Sequence, residues 1–220
     1  MDILLVAAYL LPILFLMAFV GRAGKKFIIY LFWGFLASVP MLVLFPRGDP
    51  AFPLNPFMSI TVSPLFEEFF KALPIIIPAL IGIKNQDEDV LVYAMASGIG
   101  FSLVENWYLI HPEALQLTLA NFLNVLSRSF STSLMHGCTC GIIGYGIVLI
   151  RNFDRRALPV LLFGFYTLAV TTHAMYNLLF EKYGEIGAII DLVFPVLLFW
   201  LLLTCYHVDV PALFKKNNAL

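Results

Sequence analysis

The chain has 220 residues, 61% of them hydrophobic and 12% charged, a mean hydropathy of +0.91 and a formal net charge of -1. Soluble domains carry about a quarter of their residues as charges, so an ordinary aqueous domain is excluded. Near-neutrality also gives no argument for nucleic acid or acidic partners. A lipid bilayer is the solvent this composition fits, and the 21 phenylalanines suit lipid-facing and interhelical surfaces.

A helix crosses about 30 Å of hydrocarbon with roughly 20 apolar residues. The first such stretch, Ile3–Val20, has no basic residue before it and no small-residue cleavage site after it, so it reads as a retained helix rather than a signal peptide. Phe27–Phe45 is the second span. The third, Pro64–Ile83, opens on Ser63-Pro64, which resembles an N-cap followed by a first-turn proline, and Pro74 and Pro78 should kink its inner half. Val90–Ile110 is the fourth. Pro112–Ser127 is too polar to cross and reads as a helix lying in the interface. Arg128–Ile150, Leu158–Phe180 and Ile186–Tyr206 complete the set.

The expected fold is all-α: a polytopic transmembrane helical bundle of about seven spans, eight if the segment 112–127 is counted. No linker or repeat divides residues 1–220, so they form one membrane domain whose motif-bearing core is 63–180. With the N-terminus outside, the inner loops and tail hold nine basic residues (Arg22, Lys25, Lys26, Lys84, Arg151, Arg155, Arg156, Lys215, Lys216) and the outer loops two, Arg47 and Lys182. That asymmetry predicts a cytoplasmic C-terminus. Cys138, Cys140 and Cys205 make no zinc knuckle or CxxC motif and read as small buried residues.

Ionisable side chains are costly at membrane depth and usually face a bundle interior or a wet cavity. The spans contain Glu67, Glu68 and Lys71, then Glu105, Arg128, His136, His173 and Asp191. Counted along each helix, Glu67, Glu68, Glu105, His136 and His173 fall in one layer roughly 5 to 12 Å below the outer boundary. Residues three or four apart share a helix face, so Glu67 and Glu68 can both reach Lys71. Arg128, Thr132 and His136 form a second stripe, and His173 with Asn177 a third, in which imidazole and amide can present two donors to one oxygen.

Several of these residues also have a plain packing reading. Lys71 and Arg128 neutralise carboxylates, Glu105 partners Arg128 or assists the site, and Asn106 and Asn177 serve as interhelical glue or as helpers. Asp191, like His111 and His207, lies near a helix end and is expected to snorkel to water. Ser97, Gly98, Gly137, Gly141 and Gly144 match small-residue helix packing.

A carboxylate pair with two histidines in a partly dehydrated cavity can activate water for hydrolysis. One form uses Glu and His alone; the other uses a metal, Zn2+ by donor type, held by His136, His173 and Glu67 with an open position. The residues leave both open. No HExxH helix, GxGD motif or glycine-flanked serine is present for other intramembrane protease chemistries. An ion- or proton-coupled transporter is the main rival, but no inverted repeat is apparent and the inner halves of the spans are almost wholly apolar.

Glu67-Glu68-Phe69-Phe70-Lys71, Phe101-Ser102-Leu103-Val104-Glu105-Asn106, His136 and His173-Ala174-Met175-Tyr176-Asn177 resemble, in order, the motifs of the PrsW family of intramembrane proteases, relatives of the CAAX prenyl endoproteases. The resemblance implies an endopeptidase of the prokaryotic plasma membrane that cuts membrane-associated proteins, as family members cut anti-sigma factors from the outer side. By analogy with the CAAX enzymes, Glu67 or Glu68 would activate water, and His173 with Asn177 would stabilise the oxyanion. The CAAX second motif ends in His where this chain has Glu105, and His136 is the expected substitute. A non-catalytic immunity or scaffold protein of the same fold could lose Glu67 and His173, and this chain keeps both.

Overall fold

The computed structural model describes residues 6, 10, 14, 24–44, 57–82, 87–109, 118–150 and 157–207, with the side chains at 24–25, 87–89, 108–109, 180–188 and 207 left aside. Most of the span Ile3–Val20 and all of 112–117 therefore lie outside the described residues. Val6, Leu10 and Leu14 are helical and exposed at one-turn spacing, as a lipid-facing stripe requires.

Among the described residues the secondary structure is helical. The elements are α1 (Gly24–Ala37), α2 (Val39–Leu44), a π-helical turn (Met58–Val62), α3 (Ser63–Ile81), α4 (Asp87–Leu109), α5 (Leu119–Ile150) and α6 (Leu158–His207). Four stretches are long and apolar enough to cross a membrane: Lys26–Leu44, Leu119–Ile150, Leu158–Leu179 and Ile189–Tyr206. At 19 and 23 residues, α3 and α4 have the length of a crossing but carry the charged residues.

Helical residues run from Leu158 to His207, yet α6 cannot be straight. The Tyr145 ring stacks edge-on against Phe165 with centroids 6.4 Å apart, and its hydroxyl donates to the Cys205 carbonyl at 3.4 Å. In a straight helix those two residues would be about 60 Å apart. Ser131 likewise meets both Tyr176 and Asp191. The helix therefore doubles back into two antiparallel limbs, which agree with the expected spans over 158–180 and 186–206.

The segment expected as a separate interfacial helix is corrected in part. Residues 119–127 are the opening turns of α5, because no Gly or Pro breaks the run and Thr118 caps it by accepting the Asn121 N–H at 3.1 Å. The start of α3 also differs from expectation. Ser63 does not cap the helix; its N–H bonds back to the Met58 carbonyl within the π turn, and its hydroxyl donates to Glu67. Pro64 has no N–H and its ring crowds the carbonyl four residues before it, so a widened turn is the local solution. Further along, Pro74 leaves the Phe70 carbonyl without its helical donor, and the Trp33 indole supplies one at 3.0 Å.

The most buried helix is α5, gripped by α4 and the two limbs of α6. The α4–α5 seam is close because it is lined by small residues: a Cβ at Gly98 would lie 2.0 Å from the His136 carbonyl oxygen. Ala72, Ile75, Met95, Ile143, Ala169 and Leu202 knit α3 to α6 into one apolar core. Outward faces remain apolar, with Phe32, Val43, Val160, Phe163 and Trp200 exposed as lipid contact demands.

Candidate active site

The first turns of α3 bring Glu67, Glu68 and Lys71 inward, and all three are buried. Spacing of three places the Lys71 ammonium 2.6 Å from Glu68 Oε1. From α5, His136 Nδ1 meets the same ammonium at 2.7 Å, and Thr139 donates to Glu68 Oε1 at 2.9 Å. His173, on the first limb of α6, sets Nδ1 2.7 Å from Glu68 Oε1 and Nε2 3.7 Å from Glu67 Oε2. Glu105 of α4 reaches His136 Nε2 at 2.5 Å. The two imidazoles stack edge-to-face with centroids 4.8 Å apart, and the Phe101 ring lies 5.3 Å from His136 and 5.1 Å from the Lys71 ammonium.

These contacts set the tautomers. Lys71 can only donate, so His136 Nδ1 accepts and Nε2–H points to Glu105. Glu68, held by the Lys71 cation and the Thr139 hydroxyl, is the ionised acceptor for His173 Nδ1–H. The His173 Nε2 lone pair is then turned toward Glu67. A carboxylate anchoring one ring nitrogen while the other is presented is how a general-base histidine is oriented.

The expected cluster of Glu67, Glu68, Lys71, Glu105, His136 and His173 is thus brought together. Asn177 sits one turn from His173, but its amide donates to the Ser59 carbonyl of the π turn at 3.2 Å. Asn106 is buried beside Glu105 and has no hydrogen-bond partner among the described residues. The Arg128 charge acts on Asp191, beyond the cluster. Asp191 corrects the snorkelling expectation: it is 7% exposed and hydrogen-bonds to Tyr176. Sequence reasoning missed Ser63 and Thr139, whose hydroxyls serve the two glutamates. The signal for Ser63 was its spacing of four from Glu67; Thr139, at 71 residues from Glu68, offered none.

A family model described as PrsW family intramembrane metalloprotease matches residues 23–205. The chain belongs to the PrsW family. It is accordingly a peptidase of the membrane, and the match takes in every element from α1 through α5 and most of α6. No curated protein and no solved structure matches it.

The PrsW description names a metalloprotease, and the donors can be tested for fit. One ligand atom from each of Glu67, His136 and His173 lies within 4.8 Å of the others. The 3.7 Å between His173 Nε2 and Glu67 Oε2 is near the separation of about 3.4 Å that bonds of 2.0–2.2 Å at a tetrahedral angle would give. Three carboxylates face one ammonium, so with neutral imidazoles the buried cluster is short of positive charge, which a divalent ion or added protons would supply. The residues therefore fit a metal in donor type, spacing and charge. His136 would bind it only by giving up Lys71 at Nδ1 or Glu105 at Nε2.

Proposed function

We propose that this PrsW protein hydrolyses peptide bonds of membrane-anchored, single-span substrates of the anti-sigma-factor kind, with Glu67 as the base. The carrying observation is that Glu67 Oε2 and His173 Nε2 converge to 3.7 Å while Glu68 anchors the far side of the imidazole. Water at this pair loses a proton to Glu67, and its oxygen bonds to the scissile carbonyl carbon. Glu67 passes that proton to His173 Nε2; the imidazolium N–H and the field of the Lys71 ammonium stabilise the resulting oxyanion, and the same proton goes to the leaving nitrogen as the C–N bond breaks. Asn177 can join as a second oxyanion donor once it releases Ser59. The His136–Glu105 pair holds Lys71 in place. A divalent ion bound by Glu67, His136 and His173 would polarise the water and the carbonyl as a Lewis acid.

The loop charges support seven spans with the N-terminus outside, which puts the site near the outer face of a prokaryotic plasma membrane. A cysteine placed beside Lys182 should then react with a membrane-impermeant reagent from outside, and protection there would reverse the orientation.

The function is tested by reconstituting the purified protein with a single-span substrate and comparing wild type, Glu67→Gln, Glu68→Gln and His173→Ala. Cleavage undiminished in all three variants sinks the assignment. Metal content separates the two chemistries: a stoichiometric ion lost in His173→Ala, with chelator-sensitive turnover, establishes the metal form, and full activity of metal-free protein establishes the glutamate–water form.

A further inference from the structure

Helices α4 and α5 run antiparallel, and their contacts fix a register. Gly98 lies against the backbone of His136 and Gly137, and one turn further along α4 the Ser102 hydroxyl donates to Ser133, one turn back on α5, at 2.9 Å. Continued by one more turn, that register pairs the level of Asn106 on α4 with that of Ser129 on α5. Both are 2% exposed. Neither Asn106 Oδ1, Asn106 Nδ2 nor Ser129 Oγ has a hydrogen-bond partner among the described residues.

Buried polar groups are nearly always paired, and an unpaired one costs as much as a lost hydrogen bond or more. Three unpaired buried atoms at one level of a seam, on a residue adjacent to Glu105 of the catalytic cluster and on the facing helix, call for a ligand. An amide with a vacant acceptor and donor, next to a hydroxyl, is complementary to a peptide group, which offers one N–H and one C=O. The reaction creates such a need. A transmembrane helix must unwind before its bond can be attacked, which strips main-chain groups of their helical partners where water is scarce.

We propose that Asn106 and Ser129 form a subsite that binds the unwound main chain of the substrate beside the scissile bond, Asn106 Oδ1 accepting from a substrate N–H and Asn106 Nδ2 or Ser129 donating to a carbonyl. This rests on the reading of the Glu67–His173 cluster as the proteolytic site. It makes the subsite indifferent to side-chain identity, so selection falls on the ease with which a substrate helix unwinds.

The test uses full-length protein in detergent and an internally quenched single-span peptide with a Gly-Gly break near its outer end. Asn106→Leu and Ser129→Ala should raise KM about 5- to 100-fold, with a smaller change in kcat, while the melting temperature is kept or raised because an unpaired polar group has been removed. Probe analogues with single esters in place of the amides flanking the cut should lose affinity for wild type, and at one position Asn106→Leu should no longer feel the replacement. A melting temperature lowered by either variant shows partners within the protein and overturns the subsite, whatever the kinetics. Unchanged KM, or ester effects equal in wild type and Asn106→Leu, overturns it in favour of ordered water alone. If wild type cuts the probe no faster than Glu67→Gln, the proteolytic reading itself fails and the subsite with it.

Discussion

His173 Nδ1 lies 2.7 Å from Glu68 Oε1, a contact between residues 105 positions apart, and the same oxygen takes the Lys71 ammonium at 2.6 Å. The two adjacent glutamates therefore have different tasks. Glu68 is tied into the protein, whereas Glu67 turns Oε2 toward the presented nitrogen of His173.

That division predicts different costs for two similar substitutions. Glu67→Gln should reduce turnover by about 10²- to 10⁴-fold with little change in melting temperature. Glu68→Gln should abolish turnover and also destabilise by about 3–5 kcal/mol, because Lys71 is left as a buried, uncompensated cation. Parallel turnover and thermal-unfolding measurements decide it; equal stability of the two variants would contradict the assignment.

Lys71→Met should be as damaging as Glu68→Gln, since it strands the carboxylate. Combining the two removes both charges, and replacing a whole buried pair is far cheaper than breaking it. The double variant should recover most of the lost stability and none of the activity. Additive destabilisation in the double-mutant cycle would show that the two groups do not form a pair.

Gly98→Ala should weaken the fold and the site together. Its Cβ would sit 2.0 Å from the His136 carbonyl oxygen, so α4 and α5 must separate, carrying His136 away from Glu105. A loss of about 2 kcal/mol or more is expected, accompanied by loss of turnover. Gly164→Ala is the control: nothing lies within 4 Å of its Cβ position, and it should be neutral or stabilising by up to about 1 kcal/mol.

Trp33→Phe should cost about 1 kcal/mol in thermal unfolding, because the Phe70 carbonyl orphaned by Pro74 loses the indole N–H that bonds it. Trp33→Phe in a Pro74→Ala background should cost nothing, since the backbone N–H of residue 74 then satisfies that carbonyl.

Sequence alone determined the solvent, the helical class, the PrsW resemblance and the residues that gather. An unbroken apolar run has few alternatives in a bilayer, and an ionisable group placed there must meet others of its kind. It did not determine which glutamate is tethered, because Glu67 and Glu68 are neighbours on one helix and differ only in what α5 and α6 set against them. Nor did it reveal Thr139 on Glu68 or the burial of Asp191, both of which depend on pairs of helices brought together far along the chain. Those were decided by the tertiary structure, through the fold-back of α6 and the glycine-close seam of α4 and α5, because interhelical distances of a few ångströms select partners that spacing along a single helix cannot encode.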